Sequence, residues 1–332
     1  MQTNKNLTVV MYHFVRDLKH SRFPRIKGIT PTMFHEQVLY FKKHYNFVTA
    51  EQLIDAYYND NTASLPAHPV LLTFDDAYID QFTNVFPILM KEHVQGCFYA
   101  PVKSITEHSV LDPNKIHFIL AATPDDKIPQ LIDEIHLQLD AYKDEYNLSD
   151  FDYYYNKLAQ ANRLDTKEVI FIKRLLQVEL EESLRKKIIN CIFQKVLDTD
   201  EATFSRELYM NIDQMRCMVQ CGMHVGSHGF DHYWLNSLNK EKQTFEIESS
   251  LKYLKECGVD MNNWTMCYPY GAYNQDTIDV LKGHNCKFGL TTRVDTVDMS
   301  KVQGDNIFKL PRFDTIDFPF VASAEVNDWY NK

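Results

Sequence analysis

The sequence lacks the features by which several large classes of protein are identified. Its seven cysteines form no Cys-x-x-Cys pair, which excludes the usual zinc-finger and redox motifs. Cys217 and Cys221 are spaced as one face of a helix, where buried free thiols are the simpler interpretation, and this pattern fits a reducing compartment. No apolar run approaches the ~18 residues of a membrane-spanning helix, and no signal cleavage site follows the short run Leu7–Met11. We therefore expect a chain that begins near Met1, stays in the cytoplasm and has no membrane span.

The sequence also lacks an excess of basic residues. Its formal net charge is −10, whereas phosphate binding requires clustered lysines and arginines, so we expect no nucleic-acid partner. The hydrophobic fraction of 45% and the charged fraction of 24% are those of an ordinary globular protein. The composition and length favour one large α/β domain, or a domain that carries a sizeable insertion.

Glycine and proline are absent from the middle of the chain. No glycine occurs between residues 96 and 222, and no proline occurs between residues 129 and 269. Both residue types end helices and build turns, so a long stretch that lacks them is expected to be helical. Apolar residues recur there at helical spacing in three segments, Ile128–Tyr146, Val169–Leu180 and Leu184–Leu197. We predict an all-helical insertion over residues 106–205, which separates residues 1–105 from residues 206–332.

The two flanking regions follow a different pattern, in which short apolar or β-branched runs alternate with helical stretches. The runs are Thr8–Tyr12, Val70–Phe74, Gly96–Pro101, Met223–Ser227, Trp264–Tyr268 and Phe288–Thr292. The helical stretches are Thr32–Lys43, Ala50–Tyr57, Tyr78–Lys91 and Lys240–Cys257. Strands that alternate with helices predict an α/β fold with a parallel sheet, either open or closed into a barrel. In such folds the chemistry lies at the carboxyl ends of the strands.

Titratable residues follow two of these predicted strands. Asp75 and Asp76 end the second strand, where adjacent carboxylates are hard to explain as packing, although Asp76 is also placed to cap the next helix. His228 and His232 follow the fourth strand, and their i, i+4 spacing places both imidazoles on one side of a helical turn. One carboxylate and two imidazoles suit a tetrahedral metal that also binds water. In combination, the two pairs favour a metal centre.

Two further motifs lie near predicted strand ends. In Tyr268-Pro269-Tyr270-Gly271 the proline fixes the chain direction, so that the Tyr270 amide can be aimed into a site. On its own, a simple β-turn explains this motif better. Arg312, in Leu310-Pro311-Arg312-Phe313-Asp314, has the donors to hold a buried carboxylate through a bidentate pair.

In this order, the four motifs resemble those of the polysaccharide deacetylase family (the NodB-homology domain, carbohydrate esterase family four). The match is most specific at Thr73-Phe74-Asp75-Asp76 and at the Ser-His-x-x-x-His motif that begins at Ser227, while Val9-Val10-Met11-Tyr12-His13 resembles the first strand of one branch. The resemblance covers roughly residues 7–105 and 206–316. It implies a distorted (β/α) barrel with fewer than eight strands.

The same resemblance implies a role for each motif residue. The implied roles are general base for Asp75, metal ligand for Asp76, His228 and His232, orientation of the base for Arg312, and oxyanion or substrate binding for Tyr270, Tyr268 and Pro269. A carboxylate with two imidazoles makes Zn²⁺ the expected metal, although such a set also accepts Co²⁺, Ni²⁺ or Mn²⁺.

The sequence departs from the family pattern in three places. Ala77 replaces the usual glycine after Asp-Asp, a mild change if that residue keeps a negative φ. His224 stands where many relatives have glutamate. The family often takes its catalytic acid from a Leu-x-His near the C-terminus, but the last histidine here is His284.

We predict that His13, at the end of the first strand, replaces this acid, because an imidazole titrates near neutral pH. A bond from His13 to a neighbouring loop is an equal alternative. If the insertion folds over the site, His117 competes as the acid and would also bind the substrate, and His224 comes next.

These residues predict metal-dependent hydrolysis of an N-acyl group, most simply N-acetyl, on a sugar of a surface glycan or its precursor. A cytoplasmic location favours a nucleotide-linked or lipid-linked precursor as the substrate. Two alternatives stay open, a non-catalytic sugar-binding protein of the same fold and a metal-dependent amidohydrolase that acts on a non-sugar amide. The helical insertion would serve either as a lid or as the surface of a homo-oligomer.

Overall fold

A computed structural model describes residues 5–162 and 165–331 of the chain. These residues divide into two compact units. The first contains the described residues up to Asp17, Gly28–His108 and the described residues from Arg206 onward, and the second contains Leu18–Lys27 and Ser109–Ser205. Within the described ranges, no helix has both the length and the apolar character needed to cross a membrane.

The first unit is built on a sheet of nine strands, counted over the described residues. They are β1 (Asn6–Tyr12), β2 (Asn46–Phe47), β3 (Pro69–Asp75), β4 (Gly96–Ala100), β5 (His224–Ser227), β6 (Met266–Cys267), β7 (Gly289–Leu290), β8 (Val297–Asp298) and β9 (Phe313–Asp314). The order is β7-β6-β5-β4-β3-β1-β8, and β2 and β9 pair with β3 and β1. All six predicted strands are present as β1 and β3 to β7, and each pairs with its neighbour in parallel.

The segment before β9 brings the two sides of this sheet together. Leu310 bridges Leu290 at the end of β7, and its carbonyl accepts a hydrogen bond from the Thr291 amide at 2.8 Å. Three residues later, Phe313 pairs with Val10 of β1. The sheet is therefore drawn round into an incomplete cylinder, which confirms the predicted distorted (β/α) barrel of the deacetylase type.

Helices follow most of the strands. Over the whole described chain they are α1 (Pro31–His44), α2 (Ala50–Tyr58), α3 (Phe86–Glu92), α4 (Val102–Thr106), α5 (Asp112–Ala122), α6 (Ile128–Tyr142), α7 (Phe151–Leu158), α8 (Lys167–Arg174), α9 (Glu182–Leu197), α10 (Glu201–Leu208), α11 (Ile212–Gln220), α12 (Lys240–Glu256) and α13 (Gln275–Gly283). Local chemistry fixes several starts. The Thr49 side chain accepts from the Gln52 amide, and Gln52 returns a bond to the Thr49 amide, which forms a capping box at α2. The predicted helix Tyr78–Lys91 is a π-helical turn, Gln81–Val85, followed by α3.

Between Ser109 and Ser205, the described residues of the second unit form helices joined by loops, as the missing glycines and prolines predict. Its core holds one apolar stripe from each long helix, including Ile135 of α6 and Ile188 of α9, which are both fully buried. The segment Leu18–Lys27 also packs here. Phe23 contacts the rings of Phe118 and Phe204 at centroid distances of 5.0 and 5.8 Å. No periodicity in the sequence of this ten-residue segment indicates that it joins the helices.

Candidate active site

The carboxyl ends of β3 and β5 carry the predicted carboxylates and imidazoles. Asp75 is the last residue of β3, and His228 follows directly after β5. Beyond β3 the chain turns sharply, because Asp76 and Ala77 both have left-handed backbones, with φ of +73° and +53°. The substitution at Ala77 is therefore not the mild change expected of a residue with negative φ. An alanine in this conformation costs roughly 1–2 kcal/mol, and the Ala77 carbonyl is held there by the Met210 amide at 2.8 Å.

Asp75 is buried and held by a guanidinium. Arg312 donates from Nη1 to Oδ1 and from Nη2 to Oδ2, both at 2.8 Å. The Arg312 Nε also donates to the Thr291 carbonyl at 2.9 Å, so the barrel-closing segment fixes the fork in place. The Cys267 thiol lies 3.5 Å from both oxygens of Asp75. The predicted bidentate pair between Arg312 and Asp75 is therefore present in the structure.

The electrostatics of this pair keep Asp75 ionised. Burial alone would raise the pKa of Asp75, but the Arg312 guanidinium outweighs it and lowers the pKa to about 2. Such a carboxylate is charged at any physiological pH. It is also a weak base, and takes a proton readily only from a donor that has itself been made more acidic.

A second cluster, next to the first, contains the three predicted metal ligands. The Asp76 Oδ1 atom lies 3.6 Å from the Nε2 atom of His228 and 3.4 Å from that of His232. Two ligand atoms of a tetrahedral zinc site lie about 3.4 Å apart, since each is about 2.1 Å from the metal. All three side chains are nearly inaccessible to solvent. The spacing therefore fits a metal ion without rearrangement.

The protonation of these ligands supports the same interpretation. His228 Nδ1 lies 2.7 Å from the Cys267 carbonyl, which can only accept, so the proton is on Nδ1 and the lone pair on Nε2 points towards Asp76. Burial lowers the pKa of His228 to about 4, which keeps the ring neutral. Among the described residues, Asp76 Oδ1 has no hydrogen-bond donor. A buried acceptor that faces another acceptor is expected where a cation binds.

A second set of potential ligand atoms overlaps the first. Asp75, His228 and Cys267 also offer atoms within 4.8 Å of one another. However, Arg312 already neutralises Asp75, and burial raises the pKa of the Cys267 thiol well above its usual value. A protonated thiol is a poor ligand, so the set built on Asp76 fits a metal better.

The loop between the two histidines is held by residues that the sequence analysis missed. Glu246 of α12 is buried, and its Oε2 accepts from the amides of Phe230 and Asp231, each at 2.9 Å. On the other side, the Lys103 amide donates to the Phe230 carbonyl at 2.9 Å, and its ammonium pairs with Asp231 at 2.5 Å. These bonds fix the turn that places His232, and only the folded chain brings α12 to them.

The Tyr268–Gly271 motif forms a turn beside the ligands. Gly271 has φ of +69°, and a Cβ atom there would lie 2.4 Å from the Thr292 Oγ1, so only glycine fits. Tyr268 is fully buried and donates to the Phe308 carbonyl at 2.9 Å, which makes its side chain a packing residue. Pro269 is also buried. Substrate contact at this turn would therefore fall to backbone atoms and to Tyr270.

An aromatic surface adjoins the same turn. The Tyr270 ring lies edge-on to His232 at a centroid distance of 4.8 Å. Trp234 also stacks on the Tyr270 ring, at a centroid distance of 4.3 Å and an interplanar angle of 7°. Trp234 is 36% exposed, an unusual degree for so large an apolar side chain. The sequence analysis did not single out Trp234, because one tryptophan in a loop has no periodicity.

The three histidines considered as the acid lie in different places. His13 follows β1, its side chain is 42% exposed, and its Nε2 is 4.0 Å from Asp75 Oδ2. His224 begins β5, at the end opposite the ligands, where it pairs with Glu51 at 3.1 Å and is held by Thr265. His117 lies in α5 of the second unit, and its assignment to substrate binding stays a prediction.

Comparisons with known proteins agree with this geometry. The model of the polysaccharide deacetylase family matches residues 199–289, which include His228 and His232. YxkH of Bacillus subtilis (strain 168), assigned to the polysaccharide deacetylases, is 31% identical over 84 residues. That match covers 25% of this chain and 30% of the length of YxkH.

Solved structures extend the likeness to almost the whole chain. The Streptococcus pyogenes deacetylase PplD, in complex with acetate, is 18% identical with a TM-score of 0.54, and the likeness covers 93% of this chain and 92% of PplD. The deacetylase domain of BpsB from Bordetella bronchiseptica is 17% identical with a TM-score of 0.54, over 95% of this chain and 97% of that domain. At these identities the likeness concerns the fold. Residues 199–289 thus match the polysaccharide deacetylase family, and the chain shares its fold with solved deacetylases.

Proposed function

We propose that this protein removes the N-acetyl group from a sugar by metal-dependent hydrolysis. One observation carries the proposal. A buried carboxylate that a guanidinium keeps ionised, Asp75, is the chain neighbour of a carboxylate that faces two buried imidazoles. A proton acceptor beside a three-ligand set with one open position is the arrangement that amide hydrolysis by an activated water requires.

The residues Asp76, His228 and His232 would hold the ion, and Zn²⁺ fits them best, with Co²⁺, Ni²⁺ and Mn²⁺ as substitutes. When bound, the ion supplies Lewis acidity, which polarises a carbonyl group and makes water more acidic. Asp75 would then accept the proton of the attacking water. Its low pKa explains why it needs the neighbouring site, since so weak a base cannot deprotonate ordinary water.

Two further residues would complete the reaction. The Tyr270 amide would donate to the oxyanion of the tetrahedral intermediate, a contribution typically worth about 3 kcal/mol. His13 would donate a proton to the departing amine, because its imidazole is 42% exposed and its Nε2 lies 4.0 Å from Asp75 Oδ2. Arg312 would keep Asp75 oriented and charged throughout the cycle.

A sugar is favoured as the substrate by the aromatic surface of Tyr270 and Trp234. A pyranose ring presents C–H bonds on its faces, which pack well against an exposed indole. PplD, which shares this fold, was solved in complex with acetate, the product expected of an N-acetyl substrate. We extend the proposal to a nucleotide-linked or lipid-linked glycan precursor in the cytoplasm. All seven cysteines are free, and four of them are buried, which supports a reducing compartment.

The proposal is tested by metal analysis of the purified protein, followed by acetate release from a panel of N-acetylated sugars and simple N-acetyl amides. We expect about one equivalent of a divalent metal and release from sugars alone. Metal without any acetate release would indicate a binding protein, and release from the simple amides at an equal rate would indicate a general amidohydrolase.

The identity of the acid is tested by comparing His13→Ala with His117→Ala at full metal loading. We expect only His13→Ala to lower kcat and to remove the alkaline limb of the pH profile. The same loss in His117→Ala alone would assign the acid to the predicted insertion, residues 106–205. It would also favour a lid over an oligomer surface as the role of that region.

A further inference from the structure

The two oxygens of Asp76 have different surroundings. Oδ1 faces the Nε2 atoms of both histidines and has no donor among the described residues. Oδ2 accepts a hydrogen bond from the Tyr78 hydroxyl at 2.6 Å. The two oxygens of the Asp76 carboxylate therefore differ in function. Oδ1 faces the two histidines, whereas Oδ2 is occupied by the hydrogen bond from Tyr78.

Tyr78 is held firmly in the position from which it makes this bond. It is 1% exposed, and its ring stacks on Phe14 at a centroid distance of 3.9 Å and an angle of 20°. A second ring, that of Tyr209, lies nearly parallel to it at 6.0 Å, and the backbones of Tyr78 and Tyr209 form a bridge. These contacts fix the Tyr78 hydroxyl beside Asp76 as a hydrogen-bond donor.

The backbone of this segment makes such a restraint necessary. Asp76 and Ala77 both have left-handed φ values, so the polypeptide between β3 and Tyr78 is a sharp turn. A short acidic side chain on such a turn can rotate to offer either oxygen, or both, to a cation. The Tyr78 hydroxyl is the contact that selects one.

We propose that Tyr78 is a positioning residue that holds Asp76 as a ligand through Oδ1 alone, and thereby sets both the affinity and the coordination number of the metal. This inference rests on the proposed metal site. Hydrogen bonds to ligating carboxylates usually change metal affinity 10- to 100-fold. Restricting a carboxylate to one oxygen favours the four-coordinate ions over Ca²⁺, which often takes both oxygens of a carboxylate.

The test is Tyr78→Phe, which keeps the stacked ring and removes only the hydroxyl. Zn²⁺ affinity is measured by competition with a chromogenic chelator, and the visible absorption of the Co²⁺ form reports the coordination number. We expect Zn²⁺ binding about 10- to 100-fold weaker and a weaker Co²⁺ band, as both Asp76 oxygens become available. Tyr78→Met, equally without a hydroxyl, should give the same result, which guards against a folding defect in either variant.

Tyr45→Phe is the matched control. Tyr45 is also buried in the first unit, but its hydroxyl has no hydrogen-bond partner in the described parts of the chain, so its loss should leave metal binding unchanged. Unaltered Zn²⁺ affinity and Co²⁺ absorption in both Tyr78 variants would refute the inference while leaving the proposed metal site intact. Failure of the unmodified protein to bind Zn²⁺ or Co²⁺ would instead overturn the proposed function, and this inference with it.

Discussion

Replacing Glu246 by glutamine should change how the stability of the first unit depends on pH. The carboxylate lies under the loop between the two histidines and is 3% exposed. Burial raises the pKa of Glu246 to about 7, and the Asp231 carboxylate adds to the effect, although the two loop amides and Lys103 oppose it. Because the folded pKa exceeds the unfolded value of 4.5, the group favours the folded state fully below about pH 4.5. That contribution is lost as the pH rises through 7.

The size of the effect follows from the two pKa values. A rise from 4.5 to about 7 corresponds to about 3 kcal/mol, at about 1.4 kcal/mol for each pKa unit. Glutamine accepts the same two amide bonds through one oxygen but does not ionise. Relative to the unmodified protein, Glu246→Gln should therefore become more stable by about 2.5 kcal/mol between pH 5 and pH 8, the part of the titration that this range covers.

Urea unfolding of the metal-free protein at several pH values measures this difference. Intrinsic fluorescence follows the first unit specifically, because Trp234, Trp264 and Trp329 all belong to it. Glu241→Gln, an exposed change on the same helix, is the control and should show no trend above pH 5. If the stability difference between Glu246→Gln and the unmodified protein were the same at pH 5 and pH 8, the argument from burial would be wrong.

Three further substitutions test the candidate active site. His228→Ala should lose bound metal and nearly all activity while the fold survives, and full metal content by mass spectrometry would remove it from the ligand set. Asp75→Asn should keep metal and substrate binding but lower kcat about 10²- to 10⁴-fold, whereas a near-normal kcat would place the base elsewhere. Trp234→Ala should raise KM several-fold at an almost unchanged kcat, because the ring face would contribute equally to ground-state and transition-state binding. A fall in kcat at constant KM would contradict that role.

The sequence predicted the strands that lie in longer apolar runs, several of which are followed by motifs with titratable residues. β1 and β3 to β7 follow from apolar runs, and the motifs near the strand ends predicted the Asp75–Arg312 pair, the proposed ligand set and the resemblance to the family. β2, β8 and β9 are two residues each and do not lie in a longer apolar run, whereas the equally short β6 and β7 lie within the runs Trp264–Tyr268 and Phe288–Thr292. The pairing of β2, β8 and β9 depends on neighbours that are distant in sequence.

The parts of the site that could not be predicted are those that depend on tertiary contacts. In the sequence, Glu246 is one of several charged residues on an amphipathic helix. Only the packing of α12 brings its carboxylate to the Phe230 and Asp231 amides. The sequence predicts Tyr78 only as the start of a helix. Its hydrogen bond to Asp76 depends on a left-handed turn, and an alanine at position 77 does not predict such a turn. In each case the residue type is ordinary, and its neighbours decide what it does.

The segment that closes the sheet also determines when, during synthesis of the chain, the candidate active site can be completed. Asp75 is made early, but its guanidinium partner is residue 312, and that side chain is fixed only when Phe313 pairs with Val10. A nascent chain that carries the three proposed metal ligands would still lack this counter-charge for Asp75, and an unpaired buried carboxylate costs about 3–5 kcal/mol. Translation products that stop before residue 312 should therefore be recognised as unfolded and degraded, rather than accumulate as metal-binding proteins without activity.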